Sequence, residues 1–277
     1  MQTASNQITK YFTKSSSDQV SSNVKWSHAT NNQELLSKAL KSSDVDMIEI
    51  DVVVGTMITG GPLKLPILAH PPNVTSDVSL ESLIHQMIDF TQCTNTHPKG
   101  IKLDFKSTEA LEKSFPILRN LRTEMKFPIW INADIIKGPS TNNEPVNAKV
   151  FFEGTKEFKD AILSLGWTTG CSLNITERCY THEQVDEMIC SIINEQVMNP
   201  LTFPVRACLL NTPEPMDHLF KTLTKSNHQV TFTIWSSPND PVSIDNLRNF
   251  ISHFGADKCF LDLSEDLIKR LKLDELM

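Results

Sequence analysis

The sequence predicts an α/β protein built as a single (β/α)8 barrel, and three observations lead to that prediction. Short runs rich in β-branched residues alternate with helical patterns about eight times, which is typical of parallel strands joined by helices. The 277 residues suit one barrel, since such barrels usually need about 250 residues. The alternative is an open, doubly wound sheet, but no Gly-x-Gly-x-x-Gly fingerprint follows the first predicted strand.

The predicted strands are apolar on both faces, as parallel strands covered by helices usually are. They are expected at residues 24–28, 46–54, 100–105, 127–134, 168–174, 203–210, 229–235 and 258–263. Residues 56–69 contain the turn Gly60-Gly61-Pro62 and predict a hairpin-like excursion after the second strand.

Helices are predicted after most strands because hydrogen-bonding side chains stand where an N-cap is needed. Thr181 is followed by Gln184 at the spacing of a capping box. A helix over residues 155–165 is predicted to end at Gly166, in the C′ position that favours glycine. The other predicted caps are Asn31 with Asn32, Ser79, Ser107, Ser243 and Ser264.

The composition excludes several classes of protein. Hydrophobic residues make up 39% and charged residues 21% of the chain, which is enough for a large core and excludes extensive disorder. The net charge is −7, from 26 basic and 33 acidic residues. Because an acidic protein repels polyanions at long range, non-specific binding to nucleic acid or to anionic membranes is not expected, although a local basic site is allowed.

The domain organisation is predicted as a polar tail over residues 1–22 and one barrel domain over residues 23–277. The tail lacks the apolar stretch of a secretory signal, and no run is long enough for a transmembrane segment. The six cysteines include no Cys-x-x-Cys pair, so we expect reduced thiols. The sequence therefore predicts an intracellular, cytoplasmic protein.

Acidic residues stand at the ends of the second and third predicted strands, where barrel enzymes place their active sites. Glu49 and Asp51 share one strand face because side chains alternate along a strand, and Asp104 ends the next strand. Three carboxylates at one barrel mouth need a counterion, and a hard divalent cation with oxygen ligands can supply it. The pattern predicts one ion, Mg²⁺ or Ca²⁺, held by these three residues.

Two histidines and a lysine accompany this acidic cluster. His28 ends the first strand and His70 closes the hairpin, and with ordinary pKa values near ~6.5 one can act as a base and the other as an acid. Lys106 shares a strand face with Asp104 and can contact a phosphate oxygen. Together with a metal ion, these groups predict the cleavage of a phosphodiester.

These residues also have structural interpretations. Either histidine can be a satisfied structural residue, and Asp104 can form a simple ion pair with Lys106. Asn132 is a candidate substrate ligand because strand interiors rarely use Asn for packing. Arg206 is either a substrate ligand or a buried ion-pair partner, and Trp235 either contacts substrate or packs in the barrel.

Taken together, the candidate residues resemble the phosphatidylinositol phospholipase C-like phosphodiesterase superfamily, which includes glycerophosphodiester phosphodiesterases and sphingomyelinase D. The string that carries the resemblance is His28, Glu49-x-Asp51, His70, Asp104-x-Lys106 and Trp235. It implies a phospholipase C-like (β/α)8 barrel with one Mg²⁺ or Ca²⁺ ion at the three carboxylates. It also implies an acid–base pair of the two histidines, a phosphate contact from the lysine and a pocket wall from the tryptophan.

Two departures concern the glycerophosphodiesterases. Ala29-Thr30 stands where they have Arg-Gly after the first histidine, and Pro71 stands where they have Asp after the second. The third metal carboxylate, Asp104, is similar to the sphingomyelinase D arrangement.

The chain is also similar to the menorin family over nearly its whole length. The matching segments are Trp26-Ser27-His28-Ala29, Glu49-Ile50-Asp51-Val52, Trp130-Ile131-Asn132-Ala133-Asp134-Ile135 with Gly138-Pro139, and Leu163-Ser164-Leu165-Gly166-Trp167-Thr168. In length, and without a membrane anchor, it resembles the shorter, single-barrel members.

The first functional hypothesis is a metal-dependent phosphodiesterase that works through or on a cyclic phosphodiester. Its substrate would be small, either a glycerophosphodiester-type lipid or the phosphate end of an RNA or nucleotide. The alternative is a non-catalytic barrel that serves as a protein-interaction module. The intact set of polar residues favours the enzyme, and protein partners are not predicted.

Overall fold

The computed structural model describes residues 20–93, 97–170 and 179–273, which form two compact units. The N-terminal unit comprises Lys25–Ala133 and Lys149–Ala161. The C-terminal unit comprises the described parts of Met1–Val24, Asp134–Ala148 and Ile162–Met277.

The N-terminal unit is a parallel sheet with helices between its strands. Its parallel neighbours are β1 (Trp26–Ser27), β2 (Met47–Met57), β5 (Gly100–Phe105) and the first part of β6 (Ile129–Lys137), in that order. The strands β3 (Leu65–Leu68) and β4 (Thr75–Ser76) both pair with β2. The helices are α1 (Gln33–Lys41), α2 (Leu80–Gln92), α3 (Thr108–Leu121) and, except for its first residue, α4 (Ala148–Thr155).

The hairpin predicted after the second strand is present. β3 runs antiparallel to β2, with Val53 opposite Ile67, and β4 adds a short parallel pair at Thr56 and Thr75. These two partners extend β2 to Met57, beyond its predicted end at residue 54. The strand therefore continues beyond Glu49 and Asp51, the two predicted acidic residues on β2.

The C-terminal unit continues the same alternation. Its strands are the last part of β6, β7 (Ile162–Thr168), β8 (Leu201–Arg206), β9 (Val230–Trp235) and β10 (Cys259–Asp262). Its helices are α5 (His182–Asn194), α6 (Glu214–Lys225), α7 (Ile244–Phe254) and α8 (Glu265–Leu271). Phe203, Phe232 and Phe250 are buried between strands and helices, and the ring centroids of Phe232 and Phe250 lie 5.2 Å apart.

The predicted N-caps hold with one exception. The side chains of Asn32, Ser79, Ser107, Thr181, Ser243 and Ser264 each accept a hydrogen bond from the backbone of the first helical turn. At Thr181 the complete capping box with Gln184 is formed. Asn31, predicted as a cap together with Asn32, instead bonds to Asp51 in the neighbouring strand.

The helix predicted over residues 155–165 is wrong. α4 ends at Thr155, and Ile162–Thr168 forms β7, so the fifth strand lies earlier than predicted. Residues 171–174 of the predicted strand lie outside the described residues. A short apolar run does not distinguish a buried strand from a buried helix by its periodicity. Gly166 is needed for another reason, because a Cβ there would lie 2.1 Å from the Asp134 carboxylate.

The α/β class, with parallel strands alternating with helices, is therefore confirmed. The closure of these strands into one barrel and the domain boundaries at residues 22 and 23 remain predictions, and residues 1–19 of the predicted tail lie outside the described residues. Cys93, Cys179, Cys190, Cys208 and Cys259 are reduced and take part in no disulfide within the described residues, and Cys171 lies outside them. Over the ranges described above, none of the helices has the length and hydrophobicity that crossing a membrane requires.

Candidate functional site

The strand register brings the three predicted acidic residues together in the N-terminal unit. Asp51 on β2 lies beside Asp104 on β5, and Glu49 lies two residues earlier on β2, on the same face. One carboxylate oxygen from each of the three residues lies within 4.8 Å of the other two. The predicted cluster is therefore a compact group of oxygens.

Asp51 is held on both sides. One of its carboxylate oxygens accepts a hydrogen bond of 2.6 Å from the Asn31 side-chain amide, and the Asp51 backbone N–H donates to the Asn31 side-chain oxygen at 2.9 Å. The other carboxylate oxygen lies 2.6 Å from the Lys106 ammonium. These contacts fix the buried carboxylate in one orientation.

Asp104 shares the same lysine. Its carboxylate accepts bonds of 2.6 Å from the Lys106 ammonium and from the Asn132 side-chain amide. Burial acts to raise the pKa of Asp104, but Lys106, Lys102 and the two hydrogen bonds outweigh it, so this pKa lies below its usual value. The ion pair between Asp104 and Lys106, which was one of the interpretations of the sequence, is thus formed. Lys106 bridges the carboxylates of Asp51 and Asp104.

Glu49 is the least neutralised member of the cluster. One of its oxygens accepts a bond of 2.7 Å from the Ala29 backbone N–H and lies 3.6 Å from Nδ1 of His28. Burial, followed by the charge of Asp51, raises its pKa from 4.5 to about 7, although His28 and Lys102 act in the opposite direction. This carboxyl group can therefore hold a proton near neutral pH.

The two predicted histidines are both exposed to solvent. The His28 side chain is 50% exposed, and it precedes Ala29, whose φ of 51° turns the chain so that its N–H reaches Glu49. His70 is exposed, and its Nδ1 lies 2.7 Å from the Pro71 carbonyl oxygen. A carbonyl only accepts, so the Nδ1 of His70 carries a proton and donates it there.

Sequence reasoning missed two residues of this site. Asn31 was assigned only as a helix cap, and its contact with Asp51 depends on the turn after β1, which no local pattern shows. Lys102 is buried beside Glu49 in the strand register, and its ammonium lies 6.0 Å from the centre of the Trp26 ring. The signal for Lys102 was present, because it shares a strand face with Asp104 and Lys106.

Arg206 and Trp235 belong to the C-terminal unit. The guanidinium of Arg206 donates two hydrogen bonds, of 2.8 and 2.7 Å, to the carboxylate of Asp240, and lies 5.1 Å from the centre of the Trp235 ring. Burial acts to raise the pKa of Asp240, but the bonds from Arg206 and Ser237 lower it below its usual value. The contacts of Arg206 match the ion-pair interpretation, and its role as a substrate ligand stays a prediction.

The donor set of the acidic cluster fits a hard divalent cation. Glu49, Asp51 and Asp104 offer only oxygens, at separations that one ion can span, and such oxygens are the ligands preferred by Mg²⁺ and Ca²⁺. A cation bound there would replace the proton that Glu49, with its raised pKa, otherwise retains near neutral pH.

Comparisons with known proteins confirm the resemblance to the menorin family. The profile of the menorin N-terminal domain matches residues 21–268. The human protein FAM151B is 36% identical over 264 residues, which cover 94% of this chain and 90% of the human protein.

Among solved structures, the Ignisphaera aggregans GH53 catalytic domain gives a TM-score of 0.43 at 12% identity, covering 87% of this chain and 79% of that chain. A GH113 β-1,4-mannanase gives a TM-score of 0.28 at 8% identity, covering 88% and 87%. The profile match spans most of the sequence and includes every candidate site residue, so the chain belongs to the family defined by the menorin N-terminal domain.

Proposed function

We propose that this protein is a metal-dependent phosphodiesterase, with its strands closed into a phospholipase C-like (β/α)8 barrel. The observation that carries the proposal is the group of three carboxylates bridged by Lys106, with His28 against Glu49. A phosphodiester needs cationic groups near its non-bridging oxygens and proton carriers near its bridging oxygens. This one region of the N-terminal unit supplies both kinds of group.

Glu49, Asp51 and Asp104 would hold one divalent cation, Mg²⁺ or Ca²⁺. When bound, such an ion stabilises negative charge on the phosphate oxygens of the substrate. Asn31 and Asn132 keep two of the carboxylates in place through their amide hydrogen bonds. Because the orientation is already set, little reorganisation of the protein is needed on binding.

His28 and His70 form the acid–base pair. The Nδ1 of His28 faces Glu49, so its Nε2 is the atom for proton transfer, and the Nδ1 of His70 is bound to a carbonyl, so its Nε2 takes the same role. One histidine removes a proton from the attacking hydroxyl. The other donates a proton to the leaving oxygen.

Lys106 contributes a fixed positive charge. Burial acts to lower its pKa, but Asp104, Asp51 and Glu49 raise it well above its usual value, so the ammonium stays protonated across the physiological range. The Lys106 ammonium would be available to a phosphate oxygen once Asp51 and Asp104 served as ligands of a cation. Asn132, Arg206 and Trp235 are proposed as further substrate contacts.

The substrate is a diester with a hydroxyl next to the phosphate. That hydroxyl attacks phosphorus, the bond to the leaving oxygen breaks, and a cyclic phosphodiester forms that water can then open. Glycerophosphodiester-type lipids and RNA or nucleotide ends both carry this arrangement.

A diester panel tests the proposal. The full chain is assayed with Mg²⁺ and with Ca²⁺ on glycerophosphodiesters and on short RNA ends. We expect His28→Ala and Glu49→Ala to lose at least about 100-fold in rate, while His85→Ala, an exposed histidine on α2, retains full activity. Turnover that is absent on every substrate, or unchanged in both site variants, would contradict the proposal. Absence of Mg²⁺ and Ca²⁺ binding in calorimetry would favour the interaction module.

A further inference from the structure

Lys102 is a charged residue of β5 to which the proposed function gives no role. It is only 4% exposed. In the strand register it lies beside Glu49 on β2 and beside Trp130 on β6. Because side chains alternate along a strand, Lys102 shares a strand face with Asp104. A second lysine is therefore buried next to the carboxylates of the candidate cation site.

The Lys102 ammonium packs against an aromatic ring and forms no bond to a carboxylate. It lies 6.0 Å from the centre of the Trp26 ring, which contacts the Trp130 ring edge to face at a centroid distance of 5.2 Å. Among the residues that the structure describes, none forms a hydrogen bond or an ion pair with this ammonium. Lys106 differs, because it bonds directly to two carboxylates of the cluster. The position of Lys102 is therefore independent of those carboxylates.

The charge of Lys102 nevertheless acts on the cluster. Burial raises the pKa of Glu49, and the charges of His28 and Lys102 act against this increase. Burial also acts to raise the pKa of Asp104, and Lys106, followed by Lys102, lowers it. Charges interact over longer distances in a buried setting than in water, because solvent screens them less. A cation held by these carboxylates would therefore be repelled by Lys102.

We propose that Lys102 is a specificity-determining residue of the cation site, and that its fixed positive charge limits the charge of the ion that the site accepts. Three ionised carboxylates carry three negative charges, and Lys102 and Lys106 together reduce the sum to one. A divalent ion changes this sum to one positive charge, whereas a trivalent ion would leave two positive charges in a buried setting, which is more costly. The assignment rests on the cation site of the proposed function.

Removal of this charge should strengthen ion binding, whereas loss of a purely structural residue weakens it or leaves it unchanged. Lys102→Met keeps a flexible, unbranched side chain against the Trp26 ring and removes the charge. Calorimetric titration of the full chain with Ca²⁺ should then show binding about tenfold tighter or more, because the repulsion is lost. Lys102→Arg keeps the charge and should bind Ca²⁺ about as the wild type does.

The charge of the ion supplies a second readout. Coulomb energy is proportional to that charge, so a tenfold gain for Ca²⁺ corresponds to a gain of about 30-fold for Tb³⁺. A change in packing alone does not produce this ratio. Lys102→Gln removes the charge with a different side chain, and it should give the same gains as Lys102→Met. It therefore keeps the test decisive where the methionine variant fails to fold.

Lys99 provides the matched control, because it is another buried lysine of the N-terminal unit. It is 1% exposed, and its ammonium donates to the backbone carbonyls of Ser42 and Val45. Burial lowers the pKa of Lys99, and the charges that act against this belong to Asp46 and Asp44, outside the cluster. Lys99→Met should therefore destabilise the protein but change its Ca²⁺ affinity by less than about threefold.

The outcome is separable from that of the proposed function. Wild-type protein that binds Ca²⁺ and cleaves a diester, with neutral variants of Lys102 that bind no more tightly, overturns only the role of Lys102. A gain for Tb³⁺ that does not exceed the gain for Ca²⁺ overturns it as well. Tighter binding by the neutral variants without turnover of any diester sustains this role and removes the phosphodiesterase. Absence of Ca²⁺ binding in the wild type and in both neutral variants overturns both proposals.

Discussion

Buried charge is neutralised in different ways in the two units. The N-terminal unit contains the acidic cluster, and the C-terminal unit contains the Arg206–Asp240 pair. The Asp240 carboxylate accepts two hydrogen bonds from the Arg206 guanidinium, so the two opposite charges neutralise each other. In the cluster, three carboxylates face Lys106 and Lys102, and the pKa of Glu49 rises to about 7. A closed pair leaves little charge for an ion to neutralise, whereas the carboxylate oxygens of the cluster outnumber their cationic partners, and the proposed metal site rests on that excess.

The sum of the formal charges in the cluster predicts how the cluster responds to pH. With Glu49 protonated, the charges of Asp51 and Asp104 balance those of Lys106 and Lys102. With Glu49 ionised, the cluster carries one net negative charge in a buried setting. We therefore expect the affinity of the cluster for a cation to increase as the pH rises, and we expect no such dependence near neutrality for the Arg206–Asp240 pair.

The largest expected effect comes from Lys106→Met, which leaves the buried carboxylate of Asp51 and the partly buried carboxylate of Asp104 without their shared cation. We expect the free energy of unfolding to fall by about 3–5 kcal/mol in the absence of divalent ions, because an uncompensated buried charge is costly. Millimolar Ca²⁺ or Mg²⁺ should restore most of this loss. Urea unfolding with and without the ions measures both effects, and a loss that no divalent ion relieves would exclude the carboxylates as ligands.

Arg206→Ala should cost a comparable or slightly smaller amount, about 3–4 kcal/mol, because it leaves the buried Asp240 carboxylate unpaired. Here divalent ions should restore nothing, since one carboxylate on its own offers few ligands. The control is Arg119→Ala, which removes an exposed pair with Glu157 and should change the free energy of unfolding by less than about 1 kcal/mol. Rescue of Arg206→Ala by Ca²⁺ would contradict the contrast.

The pH dependence of stability tests Glu49 directly. Its pKa is about 7 in the folded protein and 4.5 ordinarily, so the native state retains a proton that the unfolded chain releases. The resulting stabilisation is present below about pH 4.5 and is lost as the pH rises through about 7, an effect on the order of 3 kcal/mol.

Glu49→Gln should remove this slope between pH 5 and pH 8, and Glu112→Gln, an exposed residue of α3, should keep it. Urea unfolding at the two pH values gives the comparison. A wild-type slope in Glu49→Gln would show that another group titrates in this range.

The smallest effect is expected from Asn31→Ala, which removes two hydrogen bonds to Asp51. We expect a loss of about 1–2 kcal/mol in the free energy of unfolding and about 10-fold or more in divalent-ion affinity, because Asp51 loses its fixed orientation. Asn32→Ala is the matched control. It removes the cap of α1 at a cost of about 1 kcal/mol and should leave ion affinity unchanged, so equal ion affinity in the two variants would refute the positioning role.

The sequence predicts the features that depend on neighbouring residues. Ser79, Ser107 and Thr181 cap helices because each places an oxygen within reach of the next turn. The juxtaposition of Asp51 and Asp104 follows from strand alternation and parallel register. These interactions span few residues or repeat regularly, so pattern reasoning recovers them.

The features that were not predicted correctly depend on contacts between residues that are far apart in the sequence. Ile162–Leu165 is apolar enough for a helix or a strand, and only its pairing with β8 decides the matter. Gly166 leaves room for the Asp134 carboxylate, and the Asn31 side chain donates a hydrogen bond to Asp51. Both contacts join residues that are distant in the sequence. Their roles become visible only when the strands are assembled.

The lysine bridge has a consequence for how the protein is made and handled. Because the Lys106 ammonium already spans Asp51 and Asp104, folding does not wait for an ion, unlike the folding of domains whose structure depends on a metal. The chain can thus be synthesised in a cation-poor compartment and purified with a chelator. If the proposed ion binds, its loading would be a late, reversible event that depends on the concentration of free ion.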